Sequence, residues 1–381
     1  MNRIPRGRRP IRRWGLGLGL VVVAIPWIGT VAHATPRYAA RFDQSCALCH
    51  DDPSGGGKRS LYAAQYLVPA EMVMHPLGEE ALARIQPAFG PNLSVGLDLR
   101  TLHHYTDRPN SLPNGFGVPN FLQMEGNLYL TFQPDPRVSA CVVRGISGSY
   151  EIYGLIQGLP ASGHVRVGRF VTPYGWRLAD HTAFVRAFGG FMPPAHSDVG
   201  VEVGLFPGRW ELQLAATNGA GGVTQDVDRD LAFSARAARR LRLGMLSVAL
   251  GGSYSHNGSP SVMATAAGPF ASLGWKRIVW LGEADWSRHR IDRSFVRGLD
   301  LSQELAFPLH RGWDLIATHD YHDPDVRKRT GALNRIGVGF ELFPLPFLHL
   351  RALANTYETQ PAAGGPHRDC FQSEVQVHFL Y

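Results

Sequence analysis

The pentapeptide Cys46-Ala47-Leu48-Cys49-His50 holds the densest chemistry in the chain. Two thiols spaced C-x-x-C, followed at once by an imidazole, form the attachment signature of a c-type haem. The sulfurs of Cys46 and Cys49 would add to the two porphyrin vinyl groups, and His50 would sit under the iron as proximal ligand. With 4 Cys and 16 His in 381 residues, chance supplies the pattern roughly 0.002 times. The other readings of this spacing are a disulfide or a thioredoxin-type dithiol, and the latter wants a βαβ context that the flanks lack. One covalent haem c is therefore the expected cofactor. Pro53-Ser54-Gly55-Gly56-Gly57 would let backbone approach a flat group closely. The nearby sixth-ligand candidates are Met72, Met74 and His75, set against a more distant ligand or an open position. A methionine so placed is also ordinary packing. No catalytic side chains are assigned, because the chain carries no triad, no phosphate loop and no dinucleotide fingerprint. Gly15, Gly17 and Gly19 lack the required spacing.

These residues need an export route and a scaffold. Arg3, Arg6, Arg8, Arg9, Arg12 and Arg13 precede an apolar run, Gly15 to Ala32, and a small-x-small site at Ala32-His33-Ala34. Residues 1–34 thus read as a secretory signal, which suits haem attachment outside the cytoplasm. The net charge is +7, and these six arginines account for most of it. The remainder is close to neutral, so the basic balance implies no nucleic-acid partner. Residues 35–90 read as a small α-helical haem c module, with helices expected over Lys58 to Leu67 and Gly78 to Ile85. So short a module buries too little core to stand alone and should lean on the rest of the chain.

From Asn92 onward, apolar residues recur at every second position. Val199, Val201, Val203 and Leu205 alternate with Gly200, Glu202 and Gly204, and Val375, Val377, Phe379 and Tyr381 alternate with Glu374, Gln376 and His378. Period 2 with one apolar face is a half-buried strand. With 43 Gly, 27 Pro and 10% aromatics, the composition also suits many strands and turns. Short turns are expected at Pro134-Asp135-Pro136, Ala161-Ser162-Gly163, Pro207-Gly208-Arg209, Trp275-Lys276-Arg277, His310-Arg311-Gly312 and Pro344-Leu345-Pro346. Longer polar loops are expected at 106–118, 171–198, 218–229, 288–295, 323–334 and 359–371. Such asymmetry fits an outer-membrane barrel better than a soluble β-sandwich. The fold expected is all-β: an antiparallel outer-membrane β-barrel of about sixteen strands over residues 91–381, with the haem module ahead of it. Cys141 and Cys370 should then fall at opposite ends, too far apart to bridge.

The run Arg166-Val167-Gly168-Arg169-Phe170-Val171-Thr172-Pro173-Tyr174-Gly175 resembles a strand-and-loop motif of phosphate-selective-type porins, as does Tyr321-His322-Asp323-Pro324-Asp325. Together with one C-x-x-C-H ahead of a barrel, residues 35–381 resemble the fused monohaem cytochrome c–porins of iron-oxidising bacteria. The resemblance implies electron transfer from an extracellular donor such as Fe(II) to periplasmic carriers such as soluble cytochromes, with outer-membrane lipid around the barrel. It would make the protein an Fe(II)–cytochrome oxidoreductase, if an enzyme at all. The stretch Gly55-Gly56-Gly57-Lys58-Arg59 departs from the iron-oxidase pattern, which bears on Fe(II) more than on electron transfer. The alternative function is a passive or anion-selective porin whose haem is structural or sensory. The haem module would sit at the periplasmic mouth or in the lumen. Asp98, Arg100, Glu202, Glu283, Asp285, Asp314, Asp320 and His322 would face the lumen. Asp320, His322, Asp323 and Asp325 form a weak candidate iron site, as do His103 and His104.

Overall fold

The computed structural model describes residues 36–108, 119–145, 150–178, 180–189, 197–220, 226, 228–258, 263–291, 294–328, 330–360 and 369–381. The expected signal, residues 1–34, lies outside them. After a two-residue strand β1 (Ala88–Phe89) come sixteen long strands. They are β2 (Leu93–Thr106), β3 (Asn120–Asp135), β4 (Val138–Gly145), β5 (Tyr150–Leu159), β6 (Gly163–Val171), β7 (Ser197–Leu205), β8 (Trp210–Thr217) and β9 (Ala232–Leu243). The second half comprises β10 (Leu246–Asn257), β11 (Ala264–Trp275), β12 (Ile278–Ile291), β13 (Ser294–His310), β14 (Trp313–Asp323), β15 (Leu333–Leu345), β16 (Leu348–Thr359) and β17 (Cys370–Leu380). Each long strand pairs antiparallel with its neighbours in the chain, and β17 pairs with β2 through Val377↔Thr101 and His378↔Arg100, which closes the barrel.

The alternation sorts side chains as the period-2 pattern requires. Val201 and Val203 are 44% and 42% exposed on the outside, while Glu202 between them is fully buried. The outward face is an apolar belt of the kind hydrocarbon solvates; a Lys or Arg placed at its midplane would cost roughly 2–4 kcal/mol in a bilayer. Arg100, Glu283, Asp285, Asp314 and Asp320 are all buried inside, as the pattern requires. Short turns lie at one end, and the longer connections at the other. One connection is shorter than expected. The polar run 288–295 is mostly strand, because β12 continues to Ile291 and β13 begins at Ser294.

The lumen is filled from both ends. The segment ahead of β2 carries helix α1 (Pro36–Phe42), a 3-10 turn at Cys46–Leu48, a π-helical stretch at Ala63–Met72 and helix α2 (Glu79–Ala83). The helix expected over Lys58 to Leu67 is shifted toward the C-terminus, and its turns widen around Pro69, which has no amide to donate. The segment is no separate body: residues from Val31 on form one compact unit. Helix α1 packs on β10, β11 and β12, with Arg41 Nη2 2.8 Å from Asp314 Oδ2 and Arg37 paired with Glu341. At the turn end, Arg59 donates to Pro346 O at 3.0 Å and Arg311 to Val73 O at 3.0 Å.

From the opposite end, the chain after β6 folds inward and carries helix α3 (Phe184–Ala187). Trp176 N donates to Glu283 Oε2 at 2.7 Å, Phe184 N to Asp320 Oδ1 at 3.1 Å, and Arg186 Nη2 reaches both Glu283 oxygens at 2.7 Å. Gly175 sits at φ +48°, and a Cβ there would fall 1.8 Å from Glu283 Oε1, so only glycine lets the loop lie this close to the wall.

Candidate haem site in the barrel lumen

Cys46 and His50 line a cavity of about 190 Å³ between the N-terminal segment and the inward loop. One water needs roughly 10–15 Å³ on this measure, so the space is far larger than a packing void. The attachment residues are held by their own backbone: Cys49 N and His50 N both donate to Cys46 O at 3.1 Å, and His50 pairs with Arg59 in an isolated bridge. Gly55, Gly56 and Gly57 run at φ +85°, +82° and +67°. A Cβ on Gly55 would stand 2.9 Å from Cys46 Cβ. The loop is locked from outside by Asp52, whose Oδ2 lies 2.5 Å from Arg166 Nη1, and by Arg177 Nη1, which donates to Gly55 O at 2.7 Å.

The inward loop forms the other face, with Pro173 to Leu178 and His181 on the cavity. Seven cationic side chains (Arg37, Lys58, Arg59, Arg100, Arg177, Arg236 and Arg351) and three carboxylates (Asp98, Glu125 and Glu341) line it, and every one of these cations but Arg59 is paired with a carboxylate on or behind the lining. Cys46 and His50 at one cavity beside a glycine cradle are groups that would suit a c-type haem, which also calls on the second thiol, Cys49. Of the two thiols, Cys46 lines the cavity while Cys49 is fully buried against Ala63 and Leu67. Burial pushes the Cys46 thiol up to about 11 and the Cys49 thiol up to about 12. A reactive redox dithiol needs the opposite shift.

The sixth-ligand candidates separate. Met72 lines the cavity. Met74, 37% exposed, is tied by its amide to Phe343 O at 2.8 Å, and His75 is exposed, so neither reaches the site. Three cavity histidines had no local sequence signal: His181, His349 and His378. Only the closure of the sheet and the infolding of a loop bring them to the motif. Burial and the nearby Arg100 guanidinium push the His181 imidazole down to about 4, so it is neutral at neutral pH.

The two weak iron candidates are otherwise engaged. Asp320 is bonded to Arg335 at 2.6 Å, His322 Nδ1 to Asp300 at 2.6 Å, and Asp325 to Arg327 at 2.9 Å. His103 lies 4.7 Å from the Phe121 ring, and His104 Nδ1 is 2.7 Å from Gln372 Nε2. Among the described residues, no group of three or more His, Cys, Asp or Glu is arranged to hold a metal ion. Cys141 lies 3.8 Å from Thr131 Oγ1 near the turn end, Cys370 packs with Phe184, Leu333 and Tyr357 near the loop end, and all four cysteines are free.

The fold is that of the porins. Solved structures similar to this chain include an anion-selective porin from Comamonas acidovorans (TM-score 0.55, 11% identity, covering 76% of this chain and 99% of that one). OmpT of Vibrio cholerae is similar too (0.56, 10%, 78% and 100%), as is the channel DcaP of Acinetobacter baumannii (0.52, 12%, 76% and 97%). No protein-family model and no curated protein matches the chain.

Proposed function

We propose that this protein is an outer-membrane barrel that carries one covalent c-type haem inside its lumen and passes electrons between an extracellular donor and periplasmic carriers. The observation that carries the reading is the position of Cys46 and His50 on a cavity within the barrel, between the N-terminal segment and the inward loop. A haem bound there supplies one-electron carriage. Cys46 and Cys49 would hold it through thioether bonds, His50 would ligate its iron, and Gly55 to Gly57 would leave backbone room beside it. The segment and the loop together keep bulk water and ions from running freely past it.

The second reading is an anion-selective channel. It draws on the cations that line the cavity and on the similar Comamonas porin, described as anion-selective. Reconstitution in liposomes loaded with a redox dye separates the two. With haem-loaded protein and external Fe(II) or another one-electron donor, the internal dye is reduced while ion flux stays low. Open ionic conductance without dye reduction across several donors would overturn the electron-transfer reading.

A further inference from the structure

We propose that His181, carried by the inward loop, is the sixth ligand of the haem iron, so that the barrel's own loop completes the coordination begun by the N-terminal segment. This rests on the haem reading above. His50 belongs to the segment, and residues of the inward loop line the same cavity. Of the loop residues on the cavity, only His181 and Tyr174 offer an iron-binding atom. The Tyr174 hydroxyl is already spent on Asp285 Oδ1 at 3.0 Å.

The loop is built to hold His181 still. Its neighbours are pinned to the wall on either side: Asp180 Oδ2 stands 3.2 Å from Arg351 Nη2, and Thr182 Oγ1 accepts from Arg335 Nη1 at 2.8 Å. The ring is 7% exposed, and its Nε2 lies 3.7 Å from Glu125 Oε2, beyond hydrogen-bond reach. Its rivals belong to the segment or the wall and not to the loop. Met72 packs with Tyr38, Val68, Val73 and Phe343. His378 Nε2 is 2.5 Å from Asp98, and His349, stacked on Phe343 at 4.3 Å, has Nε2 3.4 Å from Glu341 Oε2.

The test is spectroscopic, on the full-length haem-loaded protein in detergent. Wild type should show a low-spin haem with two imidazole ligands. His181→Ala should turn high-spin, bind carbon monoxide rapidly, and regain the low-spin spectrum on adding free imidazole. His181→Met should stay six-coordinate and acquire the sulfur-to-iron charge-transfer band. Met72→Ala should leave the wild-type spectrum unchanged. A low-spin spectrum that survives His181→Ala, or a sulfur-to-iron band already present in wild type and lost in Met72→Ala, overturns the assignment. Heat-modifiable gel mobility checks that each barrel is folded. Where His181→Ala fails that check, His181→Met decides, and a folded His181→Met with the wild-type spectrum counts against the proposal. A wild-type protein with no covalent haem by in-gel peroxidase staining would sink the haem reading itself, which keeps the two failures apart.

Discussion

Gly55 is where a single atom decides whether the attachment loop closes. Its φ of +85° costs an L-residue about 1–2 kcal/mol, and the added Cβ would press on Cys46. Gly55→Ala should therefore lower the yield of haem per folded barrel several-fold, read as the ratio of haem to protein absorbance. An unchanged ratio would show that the cradle has slack. Cys46→Ala should abolish normal covalent loading altogether. At this scale the attachment motif was legible and the other cavity histidines were not. Cys46, Cys49 and His50 are adjacent in the chain, so their spacing is visible. His181, 131 positions beyond His50 in the numbering, reaches the same cavity only because a loop folds back into the lumen, and no local pattern encodes that. Met74 and His75 were attractive for proximity in sequence alone. A chain that turns outward past Val73 to pair with the hairpin at Phe343 carries them away.

At the scale of elements, the strands were legible because each has one side wet and one side apolar. The short turns expected at Pro134-Asp135-Pro136, Pro207-Gly208-Arg209 and Trp275-Lys276-Arg277 fall at the junctions β3–β4, β7–β8 and β11–β12. The exception at 288–295 has a physical cause. Beyond the apolar belt both faces of a strand meet water or polar neighbours, so Arg288, His289 and Arg290 read as loop while remaining in the ladder with Arg297, Val296 and Phe295. The inward loop had a porin-like motif through Gly175 but no periodicity to show its path. Its course is set by lumen partners such as Glu283 and Asp320. The N-terminal segment is held to the wall chiefly by charge. Arg166 is fully buried and serves Asp52 and Glu202 at once, each at 2.5 Å. Removing one partner from such a group costs about 3–5 kcal/mol, because the others are left uncompensated. Arg166→Ala should thus loosen the attachment loop and raise single-channel conductance in planar bilayers. A sealed barrel with wild-type stability would show that the network is redundant.

Taken as a whole, the molecule is a closed sixteen-strand barrel with protein segments packed inside its bore. Deleting residues 36–60 should open it, raising conductance toward that of an ordinary porin, whereas the full chain conducts poorly. Equal conductance of the two forms would mean that the packed layers leave a continuous path. The filling from both ends also constrains how the protein can be made. On the haem reading proposed above, Cys46 shares its cavity with Trp176 and Arg177 of the inward loop, so attachment would best precede the seating of that loop. The thioether bonds would then form on an extended chain in the periplasm, with the sheet wrapping around the finished cargo on insertion. The yield of loaded barrels would be set by a race between ligation and assembly, not by any equilibrium of the finished protein.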